Sequence, residues 1–114
     1  MSDEVLAAVL CSLAGVRTGD RVAEAGAGRL VSRALLAMSQ TLELVDEDAA
    51  VVVAGAAYEV PSALVQLVPG GRLVAVAADA AAAQRTATDA GLELRHVERV
   101  GARVAWSAVR PADP

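Results

Sequence analysis

In 114 residues the sequence has no phenylalanine, one tyrosine (Tyr58), one tryptophan (Trp106), one cysteine (Cys11) and one histidine (His96). Two aromatics cannot build a base-stacking surface, and a net charge of -4 with a pI near 4.8 leaves no basic footprint for a phosphate backbone. Nucleic acid is thereby set aside as a partner, except as a substrate. A lone cysteine excludes an intrachain disulfide framework and a cysteine metal cluster, and fits a reducing cytoplasm. No metal ligands are grouped around His96, so no metal site is expected. The opening "MSDEVLAAVLCSLAG" starts on acids instead of a basic stretch, and its apolar run is too short for a bilayer. Neither export nor membrane insertion is predicted.

What is present is a folded composition: 55% apolar and 21% charged residues. The apolar share is mostly Ala, Val and Leu, so elements should pack closely with little bulk between them. The length suits a single domain, residues 1–114, with one modest core.

Periodicity places the elements. Leu6, Val9, Leu10 and Leu13 have helical spacing, Ser2 is a plausible cap, and Gly15 ends an N-terminal helix within residues 1–18. Gly19-Asp20 is a turn, 21–25 a short strand, and Val31, Ala34, Leu35 and Met38 a second helical face. "TLELVD" (41–46) alternates as a strand should, and "AAVVVAG" (49–55) is the β-branched run of a strand covered on both faces. Pro61 opens a helix through Leu64, Val65 and Val68, which Pro69-Gly70-Gly71 is expected to stop. "RLVAVAA" (72–78) is another buried strand, and Asp79 caps a helix from Ala80 to Ala90 that Gly91 closes. "LELRHVERV" and "RVAWSAVR" form a hairpin about Gly101-Ala102, and residues 109–114 a loose tail. Buried strands alternating with helices predict a Rossmann-like α/β fold: a mostly parallel sheet finished by a C-terminal antiparallel hairpin.

The chemistry centres on "RVAEAGAG" (21–28). Glycines without Cβ let backbone approach a ligand, and the helix behind them offers free N–H groups. A tight strand-to-helix connection without ligand needs the same glycines. Glu24, an acid at the end of an apolar strand, is costly unless paired or liganded, and an N–H or Arg21 could equally satisfy it. His96 reads as a partly exposed strand residue, Cys11 as packing, and Ser32 and Ser62 lack a nucleophile-elbow context.

From about Leu13 to Pro111 the chain resembles the class I S-adenosylmethionine-dependent methyltransferases. "GVRTGDRVAEAGAG" is similar to that family's first motif, and "AAVVVAGAAYEVPSALVQLVPGGRLVAV" to its fourth strand, following helix, Pro-Gly-Gly turn and fifth strand. "DAGLELRHVERVGARVAWSAVRP" resembles its terminal hairpin. The resemblance implies S-adenosylmethionine as cofactor. Gly26 and Gly28 would wall its methionine part, Glu24 would lie near its ammonium, and Asp46 would receive the ribose hydroxyls. Tyr58 and Glu59 would face the substrate.

Departures accompany the likeness. Leu30, beside Arg29, stands at the loop's third small position. Between Asp46 and Ala49 there is no room for the usual second helix, third strand and adenine-contacting acid. One sheet edge is therefore expected to be missing, which implies a homo- or hetero-oligomer that covers the edge and completes the pocket. Two functions follow: a minimal methyltransferase, or a non-catalytic accessory subunit that has lost the cofactor. A third is a truncated nicotinamide-binding domain of the quinone-reductase kind, since "GDRV" and "PGGRLVAV" also occur there. Its fingerprint needs a glycine where Val31 stands.

Overall fold

The computed structural model of the chain describes residues 19–25, 43–54 and 59–112, together with positions 9, 12, 13 and 15. The expected helix past Gly28 lies outside them. Six strands form one sheet: β1 (Arg21–Ala25), β2 (Glu43–Leu44), β3 (Ala49–Ala54), β4 (Leu67–Ala77), β5 (Glu93–Val100) and β6 (Arg103–Val109), in the order β2-β1-β3-β4-β6-β5. The first four run parallel, and β6 lies antiparallel between β4 and β5. Helices α1 (Val60–Gln66) and α2 (Ala80–Asp89) follow β3 and β4.

The valine run of β3 is buried on both faces, as its composition requires. On one face Ala23, Ala25, Leu73, Ala75, Val104 and Trp106 form a core with the two helices. α2 contributes only Ala83 and Ala87 to that core, both without exposed surface, and such small side chains bring the helix close to the sheet. Val22, Val51, Val53 and Val74 alternate with these residues and fill the other face.

α2 has the ends its sequence calls for. The Asp79 carboxylate accepts from the Ala82 N–H at 2.8 Å. At the other end the Leu92 N–H donates to the Ala87 carbonyl and the Gly91 N–H to that of Thr88, with Gly91 at φ 72°, the paired bonds of a Schellman motif. Replacing the cap, Asp79→Ala, is expected to lower stability by about 1 kcal/mol in urea unfolding, the usual worth of such a bond.

Three expectations are corrected. The strand anticipated over 41–46 ends at Leu44, because Asp46, Glu47 and Asp48 are all exposed and Asp48 turns the chain at φ 52°, while residues 41 and 42 lie outside the described residues. The helix after Pro61 ends at Gln66 rather than running through Val68. Leu67 is extended, buried at 3% exposure, and paired with Ala49, while Val65 stands 85% exposed. Burying Leu67 beside β3 outweighs a further turn of a helix with no side-chain cap. Pro69-Gly70-Gly71 consequently lies inside β4 as an outward kink, five residues of β4 advancing where two of β3 do. A Cβ on Gly71 would fall 2.8 Å from the Val68 carbonyl oxygen, so the kink requires glycine there.

The loose tail also begins later than 109. Val109 pairs with Arg72, and Arg110 exchanges backbone hydrogen bonds with the kink: Gly70 N–H to its carbonyl at 2.8 Å, its own N–H to Gly71 at 2.9 Å. The hairpin forms about Gly101, whose φ of 65° suits the turn.

Candidate functional site

Because β1 to β4 are parallel, their carboxyl ends share one edge of the sheet. The chain passes from β1 to β2 on one side and then to β3 on the other, so the order reverses between β1 and β3. Open α/β sheets place ligands in the crevice outside the carboxyl ends at such a switch point. Here β1 and β3 end side by side on Ala25 and Ala54, both small and buried.

Glu24 is the penultimate residue of β1, opposite Val53, half-buried, and on the face away from Ala23 and Ala25. Glu24 has an interaction partner within the structure. Arg21 lies on the opposite face of the strand and reaches Glu43 at 4.0 Å, an exposed pair of little energetic weight. Asp46 follows Val45, whose N–H donates to the Val22 carbonyl at 3.0 Å, and is exposed in a bend just past β2. Glu59 occupies the N-cap position of α1, half-buried and likewise engaged, with helical backbone and no side-chain capping bond. The topology thus delivers three predicted site residues, Glu24, Asp46 and Glu59, to the same edge from three strands. Gly26, Gly28 and Tyr58 lie outside the described residues, as do Cys11 and Ser32.

His96 is exposed on β5, at the far edge of the sheet from β2, and Ser62 is exposed on α1. Among the described residues no group of three or more His, Cys, Asp or Glu could hold a metal, and no helix is long and apolar enough to cross a membrane. A cleft of about 420 Å³ lies between α1 and α2, lined by Val60, Pro61, Leu64, Thr86, Asp89 and Ala90.

Sequence reasoning passed over Arg110. Its guanidinium donates to the Leu64 carbonyl at 3.1 Å and to the Leu67 carbonyl, closing the end of α1 from 46 and 43 residues away. No local signal marks it, because its partners are backbone oxygens.

No family model matches the chain, and no curated protein matches it by sequence. Solved structures do match. A chain from the complex of the Haloferax volcanii Trm112 methyltransferase activator with a methyltransferase superposes with TM-score 0.71 at 12% identity, over 98% of this chain and 90% of that one. The chain has the fold of the class I S-adenosylmethionine-dependent methyltransferases. The 1,6-didemethyltoxoflavin-N1-methyltransferase of Burkholderia thailandensis, solved with S-adenosylhomocysteine, matches at TM-score 0.63 and 14% identity, over 96% and 78% of the two chains. The [4+2]-cyclase SpnF matches at TM-score 0.67 and 10% identity, over 96% and 81%. The methyltransferase-like fold is therefore shared by proteins described as catalysing different reactions, and the residues at the carboxyl edge must carry any functional argument.

Proposed function

We propose that this chain is a minimal methyltransferase-like domain, residues 1–114, that binds S-adenosylmethionine at the carboxyl edge of β1 and β3 and completes its pocket with a second chain, identical or different. The observation that carries the reading is the reversal of strand order between β1 and β3, with Glu24, Asp46 and Glu59 all at that edge. Glu24 is placed to receive an ammonium, and Asp46 to accept from ribose hydroxyls. Gly26 and Gly28 would let the backbone close on the ligand, and Tyr58 and Glu59 would meet the methyl acceptor.

The donor set fits such a cofactor: a carboxylate for a cation, a second for a diol, and two small strand ends between them. When bound, the cofactor supplies a methyl group on a sulfonium, already reactive toward a nucleophile. The chain then has to align the acceptor and exclude water, and a base is needed only for a weakly nucleophilic acceptor. Exclusion of water is where a partner enters. Among the described residues β2 is Glu43–Leu44, followed by exposed Asp46, Glu47 and Asp48, and none of the described residues covers that edge. The Haloferax volcanii structure, a complex with an activator, supports a protein partner for this fold.

The same short edge favours a second reading, an accessory subunit in which the fold survives without cofactor. Calorimetric titration with S-adenosylmethionine and S-adenosylhomocysteine, alone and with a partner identified by native mass spectrometry from the protein's own cells, separates the two. Binding that appears or tightens with the partner is expected. Absence of binding in both conditions would leave only the accessory reading. Glu24→Ala should weaken binding about tenfold or more, the loss of one charge-assisted contact, and Asp46→Ala somewhat less; unchanged affinity would remove either residue from the site.

A further inference from the structure

At the opposite end of the sheet, near the amino ends of the parallel strands and on the face away from α1 and α2, lies a recess of about 170 Å³. Arg72, Arg95, His96 and Ser107 line it, with Leu13 and Gly15 at one side. Strand alternation explains Arg72 and Ser107, since their neighbours Leu73, Trp106 and Ala108 belong to the helix-covered core. A bulge between Leu94 and His96 explains the rest. Ala108 pairs with Leu94 and Ser107 with His96, so Arg95 is an extra residue, and both Arg95 and His96 line the same recess.

Ser107 is a buried polar residue, 4% exposed, and lines the recess from β6. A serine hydroxyl carries one donor and two acceptor positions, so it can donate to an oxygen placed in the recess. The two guanidiniums are only partly committed. Arg72 lies 3.4 Å from the Gly15 carbonyl and 3.6 Å from Asp20, both long contacts, and Arg95 lies 3.0 Å from Glu93 through one nitrogen. Each guanidinium has five N–H donors, and most of them have no partner among the described residues.

We infer that this recess binds a small oxyanion of phosphate type, held by N–H groups of Arg72 and Arg95, the His96 ring and the Ser107 hydroxyl. The volume is that of about five or six waters at ~30 Å³ each, which suits a tetrahedral anion of five heavy atoms. Forked guanidiniums match its oxygens pairwise. The site is independent of the cofactor reading, because it lies at the other end of the strands.

His96 is the sole histidine, so its ring resonances report the recess unambiguously. Titration with inorganic phosphate at fixed neutral pH should give a saturable shift of those resonances, while sodium chloride of equal ionic strength should not. Glycerol phosphate forms a second arm. Equal affinity for it identifies a phosphate monoester whose organic part projects from the open mouth, and binding of inorganic phosphate alone identifies the free ion. Ser107→Ala should weaken binding about tenfold, the equivalent of one hydrogen bond to a charged group, and Arg95→Gln by at least as much. Arg95 is exposed, so its variant keeps the fold if Ser107→Ala does not. A non-saturating shift that chloride reproduces, or wild-type affinity in the folded variants, overturns the proposal.

Discussion

Trp106→Ala is expected to destabilise the protein by about 3–5 kcal/mol, the cost of removing a large aromatic from a packed core. Trp106 is 1% exposed, lies between Ala75 of β4 and Val97 of β5, and shares a core with Ala83 and Ala87 of α2. Its neighbours are mostly alanines and valines, too small to collapse into the space it would leave. A single domain has about 5–15 kcal/mol of stability in all, so the loss is a large fraction of the whole. With a urea m-value of about 1–3 kcal/mol/M, the midpoint should fall by at least ~1 M, followed by far-UV circular dichroism because the variant has no tryptophan to report. A change below about 1 kcal/mol would show that the helix-covered core does not depend on this residue. Trp106→Phe, which keeps most of the bulk, should recover more than half of the loss.

The dependence on one tryptophan is the structural meaning of a sequence without phenylalanine. Alanine lets α2 lie close to the sheet, and the remaining volume under it is taken by a single ring. Close packing was legible in the sequence, though not the place of Trp106, and so were β1, β3, α2 and the hairpin, because each rests on a local signal: an uninterrupted valine run, an Asp cap, a glycine at the left-handed position. The kink in β4 was not legible. Pro-Gly-Gly stops a helix as readily as it bends a strand, and what decides is burial of Leu67 against β3, a contact between distant residues. β2 was overextended for a related reason. Alternation in "TLELVD" suits a strand, yet the acids that follow have nowhere to be buried.

Of the candidate site, the sequence located the acids and the topology assembled them. Glu24 and Asp46 are 22 residues apart in the chain, and only the parallel pairing of β1 with β2 and β3 puts both at one edge. The recess around Ser107 was invisible beforehand because it depends on a bulge, and one extra residue in a strand leaves no compositional trace. An even count of alternation from Trp106 would have sent Arg95 to the other face.

Arg110→Ala is expected to cost about 2–3 kcal/mol and to loosen α1 selectively. The last carbonyls of a helix have no partner within it, and α1, at seven residues, is too short to hold itself together. The Leu64 carbonyl accepts from the Leu67 N–H, and Arg110 adds a second donor to it and one to the Leu67 carbonyl just past the helix, both from one nitrogen, while its backbone closes on Gly70 and Gly71. Each charge-assisted bond is worth about 1.5–3 kcal/mol, reduced here because the side chain is only half-buried. Chains ending after Val109 and after Arg110 make the comparison sharp. The first should lose both the side-chain bonds and the backbone clamp, and so be at least as unstable as Arg110→Ala. The second, which removes only residues 111–114, should stay within about 0.5 kcal/mol of the full chain. Hydrogen exchange should find the amides of α1 faster in Arg110→Ala than in Trp106→Ala at equal residual stability, because the lesion is local. The consequence reaches the carboxyl edge, since Glu59 is the N-cap residue of this helix and moves with it. If Glu59 serves the site, Arg110→Ala should also weaken ligand binding in the calorimetric titration, although Arg110 is at the opposite end of α1 from that edge.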